Sequence, residues 1–162
     1  MAAVGIVTAV AWPLWQHTHK RTAEATAADF IQRLSESQDR FQQAYQAFAA
    51  ELTSLTEPCE GWDHWLDRDL VATVRKHGYE IVLRPTTDAQ SRAVDCRGRA
   101  TTSDYYAALT PGAGGGLAQR AYARRATGDA FVFFDGVAPQ ERDFPPGGLA
   151  TPLRDRDSLV IP

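Results

Sequence analysis

The sequence predicts an α+β fold in which a long N-terminal α-helix leads into a globular region of short helices and strands. Three observations predict it. Apolar positions between residues 27 and 55 recur at spacings of three and four, the seam of an amphipathic helix. YEIVLR at 79–84 and AFVFFDG at 130–136 carry the β-branched and aromatic residues of strands. With 162 residues, 44% of them hydrophobic and 23% charged, the chain can bury one ordinary core and is far from a disordered composition.

The helix begins in an apolar run. Residues 1–15 include no charged or amide side chain, and Thr8 can return its hydroxyl to the backbone of its own helix. Spanning a bilayer takes roughly 20 apolar residues, so the run as written is short of a comfortable crossing. A secretory signal peptide carries positive charge ahead of its apolar stretch, whereas here Lys20 and Arg21 follow it. Trp12 and Trp15 stand where an interfacial aromatic belt falls. The segment therefore reads as the end of a membrane helix whose beginning lies upstream, the competing reading being a buried core helix of a soluble domain.

Pro13 removes an amide donor and should break or kink a helix, yet the helical pattern resumes beyond it. Ala27, Ile31, Leu34, Gln38, Phe41, Tyr45, Phe48, Leu52 and Leu55 form the seam, with Gln38 its one polar member. Glu24, Asp29, Arg33, Glu36, Asp39 and Arg40 lie on the other face. A helix over 3–54 would measure about 78 Å at roughly 1.5 Å per residue, much longer than the usual globular helix. Residues 1–21 thus read as an apolar part, and residues 22–162 as a globular domain that includes the amphipathic half of the helix.

After Pro58, Cys59 and Gly61, the stretch DHWLDRDLVATVRKHG predicts a short helix with Trp65, Leu66, Val71 and Val74 apolar and Gly78 as its stop. YEIVLR follows as a strand closed by Pro85, and a weaker strand is expected around Val94 and Cys96. Two extra short helices are expected in the distal half, over 104–109 and 117–126. AFVFFDG predicts a strand buried on both faces because its apolar run is continuous. The tail is rich in proline and glycine, with an edge strand expected at 159–161. No internal repeat is present.

Charge and cysteine content bound the function. Seventeen Lys and Arg against 20 Asp and Glu leave a net charge of -3, which excludes a global attraction to nucleic acid or anionic lipid. The residues available for a local basic stripe are Arg97, Arg99, Arg120, Arg124 and Arg125. Cys59 and Cys96 form no CxxC pair and have no zinc-ligand spacing; they fit one disulfide in an oxidising compartment, or else two separate buried thiols.

Catalytic patterns do not assemble. PGAGGGLAQRAYARR sets glycines ahead of arginines but lacks the Gly-Lys-Ser/Thr ending of a phosphate loop, and reads better as a loop. His17 and His19, two apart on a helix, point to different faces and suit no common metal. His64 and His77 have no serine or cysteine partner at a recognisable spacing. Asp155 and Asp157 alternate with arginines as surface charge, and the pair Tyr105 and Tyr106 suits packing as well as ligand contact. Neither a metal, nor a cofactor, nor an enzymatic activity is expected.

Gly5, Ala9, Ala11, Pro13 and the aromatic Trp15, followed by KRTAEATAADFIQRLSESQDRFQQAYQ, resemble the N-terminal region of type IV pilins, and SQDRFQQ is similar to the polar stretch of neisserial-type pilins and their minor-pilin relatives. The resemblance covers residues 5–46. It implies a long helix packed on a small antiparallel β-sheet, with Gly5, Val10, Trp12, Pro13 and Trp15 on the assembly part and Ile31, Leu34, Phe41, Tyr45 and Phe48 packing on the sheet. Trp15 stands near the family's usual tyrosine. The family's processing glycine and its glutamate near the mature N-terminus have no counterpart in this sequence. A leader and a short mature stretch are therefore expected upstream of Met1. The family more often places its disulfide nearer the C-terminus, so a Cys59–Cys96 pair rests on the cysteine count alone.

The function so implied is that of a pilus subunit, pilin or minor pilin, serving adhesion, twitching motility or DNA uptake. Its expected partners are other pilin subunits, the inner membrane before assembly and the pilus assembly machinery, with nucleic acid unexpected. Its expected place is a single-pass position in the inner membrane with the C-terminal domain periplasmic, and then the extracellular pilus. The alternatives are a pseudopilin of a type II secretion system and a membrane-anchored periplasmic binding domain that does not polymerise.

Overall fold

The computed structural model describes residues 3–112, 119–126, 130–133, 136, 140–141 and 150–152, and among these the side chains from 18 to 141. Helix α1 (Ala3–Tyr45) runs unbroken, Pro13 included. There follow β1 (Phe48–Ala49), α2 (Leu52–Thr56), α3 (Arg68–Lys76), β2 (Tyr79–Pro85), β3 (Thr101–Thr102), β4 (Tyr105–Pro111), β5 (Ala121–Arg125), β6 (Phe131–Phe133) and β7 (Ala150–Pro152). Among the described residues β2-β4-β5-β6-β7 form one wholly antiparallel sheet, and β1 pairs antiparallel with β3. The α+β architecture of a long N-terminal helix with antiparallel sheets matches the sequence expectation.

α1 lies over β4 and β5, with α3 beside it. Strand alternation determines what it meets. Leu109 faces Tyr122 across β4 and β5, and Tyr122 faces Val132 across β5 and β6, so these three point to one side of the sheet. They join Ala23, Ala27, Phe30, Ile31 and Leu34 of α1 in the main core. Tyr106, Ala108, Ala121, Ala123, Phe131 and Phe133 make a smaller cluster on the opposite face. Glu141, between β6 and β7 in sequence, binds Arg84 at 2.7 Å and the Thr87 amide at 2.7 Å beside β2. All three residues of β6 are buried, as the apolar run predicted.

Several sequence expectations are corrected. The helix ends at Tyr45 and does not continue to 54. Gln46 takes a left-handed φ of 55° while its amide still donates to Gln42 O at 2.8 Å, which closes the last turn. Phe48 and Leu55 keep the helical count because both feed the same core, one from a strand and one from a separate helix. The helices expected over 104–109 and 117–126 are strands where described, β4 and β5. Of the alanines in these two strands, only Ala107 faces α1; Ala108, Ala121 and Ala123 are buried on the opposite face, and pairing between strands decides their conformation. No strand forms around Val94 and Cys96, since Asp95 to Gly98 is a tight turn and Val94 is exposed.

The helix expected around 63–78 is α3, starting at Arg68 after Asp67 caps the Asp69 amide at 2.8 Å. It stops at Gly78, whose φ of 86° suits glycine. The expected edge strand at 159–161, Asp155, Asp157 and the glycines of PGAGGG beyond Gly112 lie outside the described residues.

Candidate functional site

The surface with the most organised chemistry is the seat of α1, held by polar contacts at both ends of an apolar middle. Near its start, Lys20 Nζ donates to Gln119 Oε1. One turn on, Glu24 is buried to 4% exposure, its carboxylate 3.6 Å from Arg120 Nε and its carbonyl accepting from Tyr122 Oη at 3.2 Å. Tyr79 lies beside Tyr122, ring centroids 6.2 Å apart. Burial, reinforced by the negative charge of Glu24, pushes both phenols well above the ordinary tyrosine value, with the Arg120 charge opposing. Both therefore stay protonated, and Tyr122 keeps the proton that it donates to Glu24 O.

At the other end the seam's polar residue finds its purpose. Gln38 is fully buried, donates through Nε2 to Ala49 O at 3.0 Å and accepts from Ala49 N–H at 2.9 Å through Oε1. Its amide pairs with β1 as a neighbouring strand would, satisfying both backbone groups of a buried residue. Ser37 Oγ and Arg40 Nη2 lie 2.7 and 3.2 Å from Trp65 O and hold the chain that enters α3. Phe41, Tyr45, Trp65 and Trp62 stack outward from the core.

Cys59 and Cys96 are joined in a disulfide, their Cα atoms 6.0 Å apart. The turn after it is organised by Asp95, whose carboxylate accepts from the amides of Arg97 and Arg99 and from Arg99 Nε at 2.7 Å. Burial alone would raise the Asp95 pKa, but these hydrogen bonds and the Arg99 charge together hold it below the usual aspartate range. Arg99 also donates to the carbonyls of Thr53 and Glu57, tying the disulfide turn to α2.

The residues expected to pack α1 on the sheet are brought together: Ile31, Leu34, Phe41 and Phe48 are buried in the main core, with Tyr45 half-buried against it. Gly5, Val10, Trp12, Pro13 and Trp15 lie in the helical backbone, their side chains outside the described residues. The arginines considered for nucleic acid do not share one face. Arg97 is 3.8 Å from Glu57, and Arg99 holds Asp95. Arg120 meets Glu24 on the α1 side of the sheet, whereas Arg125 binds Asp104 at 2.7 Å on the other side. Arg124 pairs with Ala107 on the α1 side.

Tyr105 and Tyr106 are both buried in packing. His64 is exposed and His77 half-buried, and among the described residues no group of three His, Cys, Asp or Glu could hold a metal. Among them, too, no helix is long and apolar enough to cross a membrane.

Sequence reasoning did not find Gln38, Glu24, Asp95 or Arg99 as organising residues. Only Gln38 carried a signal, as the single polar break in an apolar seam. Fold and contacts together define an α+β protein whose long N-terminal helix is fastened along an antiparallel sheet. No family model matches the chain, and no curated protein or solved structure matches it either.

Proposed function

We propose that the protein is a pilin-like subunit that acts by assembling through its N-terminal helix into a filament. The observation that carries the reading is the division of α1. Its buried positions from Ala23 to Phe41 are spent on the domain's own core, while 17 helical residues precede Lys20, about 26 Å of helix at roughly 1.5 Å per residue, with a sequence that is apolar up to Trp15. A helical segment of such apolar sequence is suited to exchange lipid for helix neighbours, and small residues such as Gly5, Ala9 and Ala11 permit close approach. The resemblance of residues 5–46 to type IV pilins and the disulfide, which suits an oxidising compartment, support the same reading.

Fractionation of the host tests it. A filament subunit is expected both in the inner membrane and in material sheared from the cell surface. Recovery from the membrane alone would indicate an anchored domain that does not polymerise, and recovery from neither would end the proposal.

A further inference from the structure

The end of α1 at Tyr45 leads to an exposed aromatic surface. Trp62 is 51% exposed and stands in a ladder with Trp65 at 5.5 Å and Tyr45 at 6.3 Å, behind which Phe41 is buried in the core. Its segment is fixed on both sides. Cys59 is bonded to Cys96, Trp62 N–H donates to Cys59 O, and the amides of Trp65 and Leu66 donate to Leu55 O. Trp62 is therefore a platform already in place, with little ordering left to cost a partner that lands on it. Glu60 and Asp63 flank it, both exposed and absent from the ion pairs among the described residues.

The opposite end of the packed helix is basic. Arg21 is exposed next to Lys20, and α3 runs back from Trp65 toward Tyr79, bringing Lys76 to the side where Tyr79 neighbours Tyr122 and Glu24. Lys20 and Lys76 are the chain's only lysines. Arg21 and Tyr45 are separated by about 36 Å of helix at roughly 1.5 Å per residue, so the Lys20–Arg21 step of one copy cannot reach its own Trp62.

The geometry points to a head-to-tail contact between copies of this chain, in which the Lys20–Arg21 step of one docks on the Trp62 face of the next. A guanidinium lies flat on an indole while the neighbouring carboxylates take its N–H groups. Trp62 supplies the first interaction, and Glu60 and Asp63 the second. The two surfaces differ, so the contact is heterologous, and it propagates as a filament where its rotation does not close a ring. The contact rests on the assembly reading above.

Full chains of two nitrogen isotopes, mixed in detergent, assembled by its removal and joined by a zero-length carbodiimide, test it. Mass spectrometry should find Lys20 linked to Glu60 or Asp63 with one peptide of each isotope. Trp62→Ala should lower that yield roughly tenfold. Asp63→Lys should also lower it, and adding Arg21→Asp should restore assembly, which a merely misfolded variant would not allow. Assemblies linked only elsewhere and indifferent to Trp62→Ala would overturn the contact and leave the assembly reading standing. Absence of assembly in every sample would overturn both.

Discussion

Replacing Gln38 with leucine separates the hydrogen bonds of α1 from its packing. Leucine keeps most of the side-chain volume, so the change removes little except the two bonds to Ala49, at 3.0 and 2.9 Å. Ala49 is fully buried, and its N–H and C=O would both be left without a partner. An orphaned buried group costs about 1 to 3 kcal/mol, so the pair amounts to about 2 to 5 kcal/mol after the benefit of an apolar side chain is allowed for. In a chain of 162 residues each kcal/mol moves the midpoint by roughly 2–4 °C, which places Gln38→Leu about 4–20 °C below the parent. Thermal unfolding of the full chain in detergent, followed by near-ultraviolet circular dichroism under oxidising conditions, reads this directly. Gln42→Leu, at an exposed position of the same helix, should move the midpoint by no more than a degree or two. Equal midpoints for both variants would refute the claim that Gln38 holds β1 against α1.

Phe41→Ala should destabilise the protein by about 3–5 kcal/mol, since Phe41 is 1% exposed and packs on Tyr45, whereas Arg40→Ala, which loses exposed bonds to the Glu36 and Trp65 carbonyls, should cost about 1 kcal/mol in the same denaturant titration. Asp95, held below its ordinary pKa in the fold, contributes stability that is present above the unfolded aspartate pKa near 4 and is lost as pH falls below it; Asp95→Asn should flatten the acid limb of a stability-against-pH curve. Intact-mass measurement should find the oxidised chain two hydrogens lighter than the reduced one, and reduction should cost about 4 kcal/mol for a loop closing residues 37 apart.

The seam of α1 was legible because Ala27, Ile31, Leu34 and Phe41 repeat with the period of a helix that faces one core. Its end was not, because Phe48 and Leu55 reach that core by other routes while keeping the count, and the left-handed residue is Gln46, where a glycine would have been a signal. YYAAL and AYARR carry helix-compatible alanines, and their strand character lies in pairing with each other and with β2, which local propensity does not contain. Gln38 stood out in the seam, but its partner is the backbone of Ala49, invisible until β1 is placed. Arg99 read as a candidate for a nucleic-acid stripe, yet two of its partners are main-chain carbonyls of Thr53 and Glu57, which no residue type announces. The disulfide was legible from cysteine count alone.

The central claim is that the apolar part of α1 assembles while the rest of the helix holds the domain. The most direct measurement is electron microscopy of protein isolated from its own host, before and after detergent removal, beside a chain shortened to begin at Thr22. The account predicts filaments of uniform width from the whole protein and dispersed single molecules from the shortened one. Whole protein that stays monomeric and evenly dispersed in plain buffer would contradict it.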